Sequence, residues 1–152
     1  MDLIINDLKK IYDNKVVLDI KNLHFKFGKV YGVIGSNGSG KSTLLKIISG
    51  IEKPSSGKVL LDGREISKDH LSHITYCSQK PYLFKTSVIN NIAYPLKFRK
   101  MRSKYIKSTV ENIIEEFNIN SIKDKIAINL SGGESQKVAL ARAFVFNPKI
   151  IL

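Results

Sequence analysis

The chain has 152 residues, 43% of them hydrophobic, with 25 Lys and Arg against 13 Asp and Glu and a formal net charge of +12. That length suits one domain able to bury a real core. The lack of any apolar run of eighteen residues excludes a membrane-spanning helix, the lone Cys77 excludes an internal disulfide, and the positive charge calls for an anionic partner such as a nucleotide, a nucleic acid or an anionic membrane surface.

In chain order, Met1–Asp7 shows neither the basic start nor the apolar core of a secretory signal. Up to Tyr31 the chain alternates apolar and polar residues in short β-like runs, Leu3–Ile5, Val16–Leu18 and Leu23–Gly28, which suit an antiparallel sheet. Lys29–Ile34 is apolar and β-prone and reads as a buried strand. It feeds Gly35-Ser36-Asn37-Gly38-Ser39-Gly40-Lys41-Ser42-Thr43, which fits the pattern G-x-x-x-x-G-K-[ST]. Backbone N–H groups converge on a polyphosphate only where the chain curls tightly. Glycines at 35, 38 and 40 allow that curl and keep side chains out of the way. Lys41 supplies a mobile positive charge for the outer phosphates and Ser42 a hydroxyl for Mg²⁺. Thr43–Ser49 reads as a helix with Gly50 as its stop, so the loop opens onto the positive end of a helix. A chance glycine turn is the bland alternative.

Beyond it, Pro54–Gly57 is a turn, Lys58–Leu61 a strand closed by Asp62-Gly63, and Arg64–Ile66 its return. His73–Ser78 is strand-like and places Cys77 as a small buried side chain on a strand. From Ser87 the pattern turns helical. Ser103–Phe117 carries an apolar stripe at Ile106, Val110, Ile113, Ile114 and Phe117 that faces a core. Lys97–Lys107 holds six basic residues and no acid, which suits either a solvated face or anionic lipid headgroups. In Leu130-Ser131-Gly132-Gly133-Glu134, Ser131 and Glu134 have capping-box spacing. The glycines bare the helix N-terminus, so the segment is either a phosphate-receiving end or simply a well-capped helix. Asn147-Pro148 ends that helix, and Lys149–Leu152 begins an apolar strand. His24, His70 and His73 read as surface or strand residues rather than catalytic groups.

The pairing of Gly35–Thr43 with Leu130–Glu134, in this order and at this distance, resembles the nucleotide-binding domain of an ATP-binding cassette (ABC) protein, and Leu130–Ala143 resembles that family's signature motif. Lys137 departs from it, standing where the family often has arginine. The resemblance covers essentially the whole chain. It implies an α/β P-loop NTPase fold of ABC type, with an antiparallel β subdomain and a helical subdomain. It divides the chain into a RecA-like core plus β subdomain over 1–79 and 148–152, and a helical subdomain over 80–147. Tyr12 stands where the family stacks an aromatic on adenine, although an ordinary strand aromatic fits the same position. Gln79 fits the family's glutamine loop, which contacts Mg²⁺ or the attacking water, although a solvated loop residue is the plain alternative. Lys41 and Gln79 are the catalytic candidates and Ser42 and Gln79 the metal candidates. Tyr12, Gly35 to Thr43 and Ser131 to Glu134 are the ATP-binding candidates.

By this resemblance the chain is an ATPase subunit of an importer-like membrane transporter. It would be peripheral on the cytoplasmic face of the membrane, bound to permease subunits, and paired head to tail with a second cassette. No nucleic-acid partner is implied, although a soluble cassette protein acting on ribosomes or nucleic acid, or a catalytically dead nucleotide-binding module, remains open. The family's acidic pair and switch histidine would lie beyond Leu152. The expectation is therefore a cassette incomplete at its C-terminus, marginally stable alone and poor at hydrolysis.

Overall fold

The computed structural model describes residues 2–152. It comprises two compact units, one reaching Ile74 and including Leu152, the other Thr75–Ile151.

In the first unit, β1 (Asp2–Tyr12) and β2 (Lys15–Lys26) form an antiparallel hairpin. Its two-residue turn, Asp13-Asn14, has φ of 46° and 63°, values that these two residue types tolerate and that match the strand twist. The three β-like runs expected before Tyr31 merge into these two strands. β3 (Ser56–Leu61) and β4 (Arg64–Glu65) complete a four-stranded antiparallel sheet of order β2-β1-β3-β4, with the expected Asp62-Gly63 turn between them. Leu3 and Ile5 are buried, and then Leu8 rather than Asp7. Asp7 has a φ of 47°, and the pairing of β1 with β3 shifts between Asn6 and Lys9. The irregularity switches the inward parity and keeps Leu8 in the core.

α1 (Lys41–Ile48) follows the glycine loop. It stops where the sequence says it should. Gly50, at φ 70°, donates to the Ile47 carbonyl, and Ile51 donates to the Lys46 carbonyl, the paired bonds of a left-handed glycine end. α2 (Lys68–Leu71) is a single turn. The strand expected at Lys29–Ile34 does not form. The segment has no regular structure, neither sheet pairs with it, and Val30 and Ile34 are almost fully exposed. Its β-prone composition has no ladder to join, and a strand without partners leaves both its backbone groups and its apolar side chains to water.

β5 (Ile74–Thr75), whose Thr75 opens the second unit, pairs with β6 (Ile150–Ile151). Cys77 lies past β5, half-buried and outside any strand, contrary to the expectation; the run from Tyr76 to Ser78 has no ladder partner. Three helices enclose the core: α3 (Val88–Phe98), α4 (Ser103–Glu116) and α5 (Gly132–Phe144). Val88, Ile92 and Leu96 from α3 meet Val110 and Ile114 from α4 and Val138 and Ala141 from α5, each set spaced to fall on one helical face. Asn91 is fully buried among them. Its amide accepts from Phe84 N–H at 2.8 Å and donates to the carbonyls of Phe84, Thr86 and Ser87. Every polar atom of the side chain is thereby matched, and the turn that leads into α3 is pinned.

Candidate nucleotide-binding site

The glycine loop curls as the sequence requires. Gly38 and Gly40 have φ of 81° and 86°. A Cβ on Gly40 would lie 2.5 Å from Leu18 Cδ2 and 2.8 Å from the Val17 carbonyl, so only glycine lets α1 start this close to β2. Lys41 folds back over the loop, donating to the Gly35 carbonyl at 2.8 Å, the Ser36 carbonyl at 2.6 Å and Ser39 Oγ at 3.3 Å. Asn37 lies in the exposed crown of the loop. α1 begins with no side-chain cap and no acid in its first turn. Its leading N–H groups and the positive end of its dipole are the loop's anion-facing elements. Ser42 sits in that first turn with Thr43 beside it.

Tyr12, at the end of β1, is brought against the end of this loop–helix unit. Its hydroxyl donates to Glu52 and also meets the Thr43 hydroxyl. Lys10, two residues earlier on the same strand face, bonds Glu52 Oε1 at 3.0 Å and lies 4.8 Å from the centre of the Tyr12 ring. The bond from Tyr12, followed by that from Lys10, holds the Glu52 carboxyl below its ordinary range, and the bond to Glu52 raises the Tyr12 phenol. Glu52 and Lys10 were not site candidates in the sequence. No motif marks them, and only the path of the chain after α1 brings Glu52 back to β1.

Gln79 is exposed in a bend after β5. Nearby, Arg142 donates to the Tyr82 carbonyl at 2.7 Å, and its burial lowers its own pKa. The capping box forms at α5: Ser131 N–H donates to Glu134 Oε2 at 2.8 Å, and Glu134 N–H donates to Ser131 Oγ at 3.3 Å. The bond from the Ser131 backbone, more than any other cause, holds Glu134 below the usual carboxylate range. Gly132 and Gly133 stand exposed in the first turn, with open space where a Cβ would be. The loop and Tyr12 thus belong to the first unit, and Gln79 with Ser131 to Glu134 to the second. His24 pairs with Asp2, and His70 accepts from Ser67 N–H. No group of His, Cys, Asp or Glu suited to a metal ion occurs among the described residues.

The family model described as ABC transporter matches residues 18–152. The chain is similar along its whole length to the tungstate uptake system ATP-binding protein TupC of Peptoclostridium acidaminophilum, at 44% identity over 71% of that protein. It is 40% identical, over 97% of its length, to the molybdate/tungstate import ATP-binding protein WtpC of Methanocaldococcus jannaschii, of which it spans 50%. Among solved structures, the dimeric post-hydrolysis state of the ATP-binding cassette MJ0796 bound to ADP and Pi superposes with a TM-score of 0.86 at 28% identity. That match covers 98% of this chain and 72% of the other.

Proposed function

We propose a function from one premise: the chain belongs to the ABC transporter family. On that premise it is the ATP-binding subunit of an importer. The relatives named for tungstate and for molybdate or tungstate favour a small oxyanion as the solute. The observation that carries the reading is the curled loop, in which Lys41 spans the carbonyls of Gly35 and Ser36 ahead of the uncapped start of α1.

ATP enters this cradle by its phosphates. The N–H groups of Gly38 to Thr43 take the phosphate oxygens, and Lys41 exchanges its loop carbonyls for the β- and γ-phosphates. Tyr12 stacks on the adenine. Mg²⁺ would accompany the nucleotide, with the Ser42 hydroxyl as its ligand from the loop and α1, and Gln79 is by family resemblance a further metal contact. When bound, the ion neutralises charge on the transferring phosphoryl group. Gln79 also orients the attacking water. A second cassette covers the nucleotide head to tail, bringing the partner's Ser131, Gly132, Gly133 and Glu134, a capped helix end with its glycines bare, to the γ-phosphate. Closure of that pair moves permease subunits, and hydrolysis reopens it. The subunit sits on the cytoplasmic face of the membrane, with the basic turn between α3 and α4 near anionic headgroups.

Calorimetry and size-exclusion chromatography with Mg·ATP test this. Wild-type protein binds ATP and shifts toward a dimer, whereas Ser131→Arg binds ATP and stays monomeric. A dimer formed equally well by Ser131→Arg would remove the opposite-site role, and absence of ATP heat from folded protein would remove the function.

A further inference from the structure

Tyr12 ends a strand at the tip of a hairpin, where the ring by itself has freedom to swing. The chain after α1 restrains it. Glu52 N–H donates to the Lys46 carbonyl at 3.2 Å, tying Glu52 to the last turn of α1. The following residues run back along β1: Lys10 Nζ donates to the Lys53 carbonyl at 2.8 Å, Ser55 N–H to the Lys9 carbonyl at 2.8 Å, and Ile11 N–H to Ser55 Oγ at 3.0 Å. The Glu52 carboxylate then receives both the Tyr12 hydroxyl and the Lys10 ammonium. Lys10 Nζ lies over the ring, and Tyr12 is 40% exposed, so aromatic surface remains open to a base.

We infer that Glu52 is a positioning residue for base recognition, holding the Tyr12 ring by its hydroxyl in fixed register with the helix that carries Lys41. This rests on the ATP-binding reading above. The distance between ring plane and phosphate cradle sets where a purine stacks once the triphosphate is seated. A rigid platform therefore lowers the ordering cost of binding. Glu52 acts on the base half of the nucleotide and leaves the phosphate half alone.

The test is calorimetry of the purified chain with Mg·ATP and with Mg·tripolyphosphate, which has no base. Wild type, Glu52→Ala, Glu52→Gln, Tyr12→Phe and the double variant E52A/Y12F are compared, each checked for native dichroism. Glu52→Ala and Tyr12→Phe are each expected to weaken ATP by about three- to tenfold. The double variant should be no worse than either single change. Glu52→Gln, which keeps an acceptor, should recover most of the loss, and tripolyphosphate should bind all five proteins alike. Equal loss of ATP and tripolyphosphate affinity in Glu52→Ala would show damage to the end of α1 and overturn the inference. So would a Tyr12→Phe protein with wild-type ATP affinity. If wild type bound neither ligand, the nucleotide reading would fall and take this one with it. If it bound both and Glu52→Ala changed neither, the Glu52 role alone would fall.

Discussion

The Lys41 ammonium is hydrogen-bonded to the Gly35 carbonyl at 2.8 Å, so the charge proposed to meet phosphate is seated on its own loop. The two bonds to carbonyl oxygens pre-aim the side chain and fix the curl of the loop. Lys41→Ala removes charge-assisted bonds of about 1.5–3 kcal/mol, so ATP affinity should fall between about tenfold and a hundredfold. Lys41→Arg should also bind poorly, because a planar fork does not fit a site that takes a compact ammonium. Titration calorimetry reads both, and wild-type affinity in Lys41→Ala would place the phosphates elsewhere.

Gly38 and Gly40 share a left-handed backbone but not a neighbourhood. A Cβ on Gly38 meets open space, and one on Gly40 meets Leu18 and the Val17 carbonyl. Gly38→Ala should therefore cost only the conformational term, about 1–2 kcal/mol. Gly40→Ala adds an overlap in a packed region and should cost about 3 kcal/mol or more. Urea denaturation of the two variants separates them, and equal midpoints would mean that β2 yields freely.

What the sequence could and could not convey divides along range. The phosphate loop, the Asp62-Gly63 turn, the Gly50 stop and the Ser131–Glu134 box are each set by residues within a few positions of one another, where backbone angles and local hydrogen bonds decide the outcome. Lys29–Ile34 failed as a strand because β-propensity is a statement about fit to neighbours, and no strand pairs with it. Asn91 looks like an ordinary polar helix residue, yet its burial is required by four bonds to the preceding turn, which no spacing rule announces. Tyr12 and Glu52 are 40 residues apart, and their meeting depends on the left-handed end of α1 turning the chain toward β1.

Glu134 gives the acid dependence of the signature helix. Its pKa is lowered from 4.5, chiefly by the Ser131 backbone N–H. A carboxylate lowered in the folded state contributes stability in full above its unfolded value and loses it as pH falls through the folded one. Between pH 7 and pH 5 the wild-type melting temperature should owe nothing to this group's titration, and below pH 4.5 it should fall. Glu134→Gln should start lower at neutral pH and show a shallower acid limb, as followed by dichroism. An acid limb identical to wild type would mean that the capping box does not report on unfolding.

The turn from α3 to α4 and the start of α4 present Lys100, Arg102, Lys104 and Lys107 to solvent, with Phe98 81% exposed and Met101 and Tyr105 exposed beside them. Arg99 is engaged differently: its guanidinium lies 3.8 Å over the Phe146 ring, and substituting it would disturb packing as well as charge. The sharper test of a membrane-facing role therefore leaves Arg99 in place and changes Lys100, Lys104 and Lys107 to Gln. Each charge close to an anionic surface contributes about 1 kcal/mol, so the triple variant should lose roughly two orders of magnitude in affinity for phosphatidylglycerol vesicles. Binding by wild type should weaken with salt and be absent on phosphatidylcholine. Sedimentation with the two vesicle types reads all of this. Retained binding in the triple variant would remove this turn from the membrane contact, and capture of RNA in place of vesicles would redirect the charge to nucleic acid.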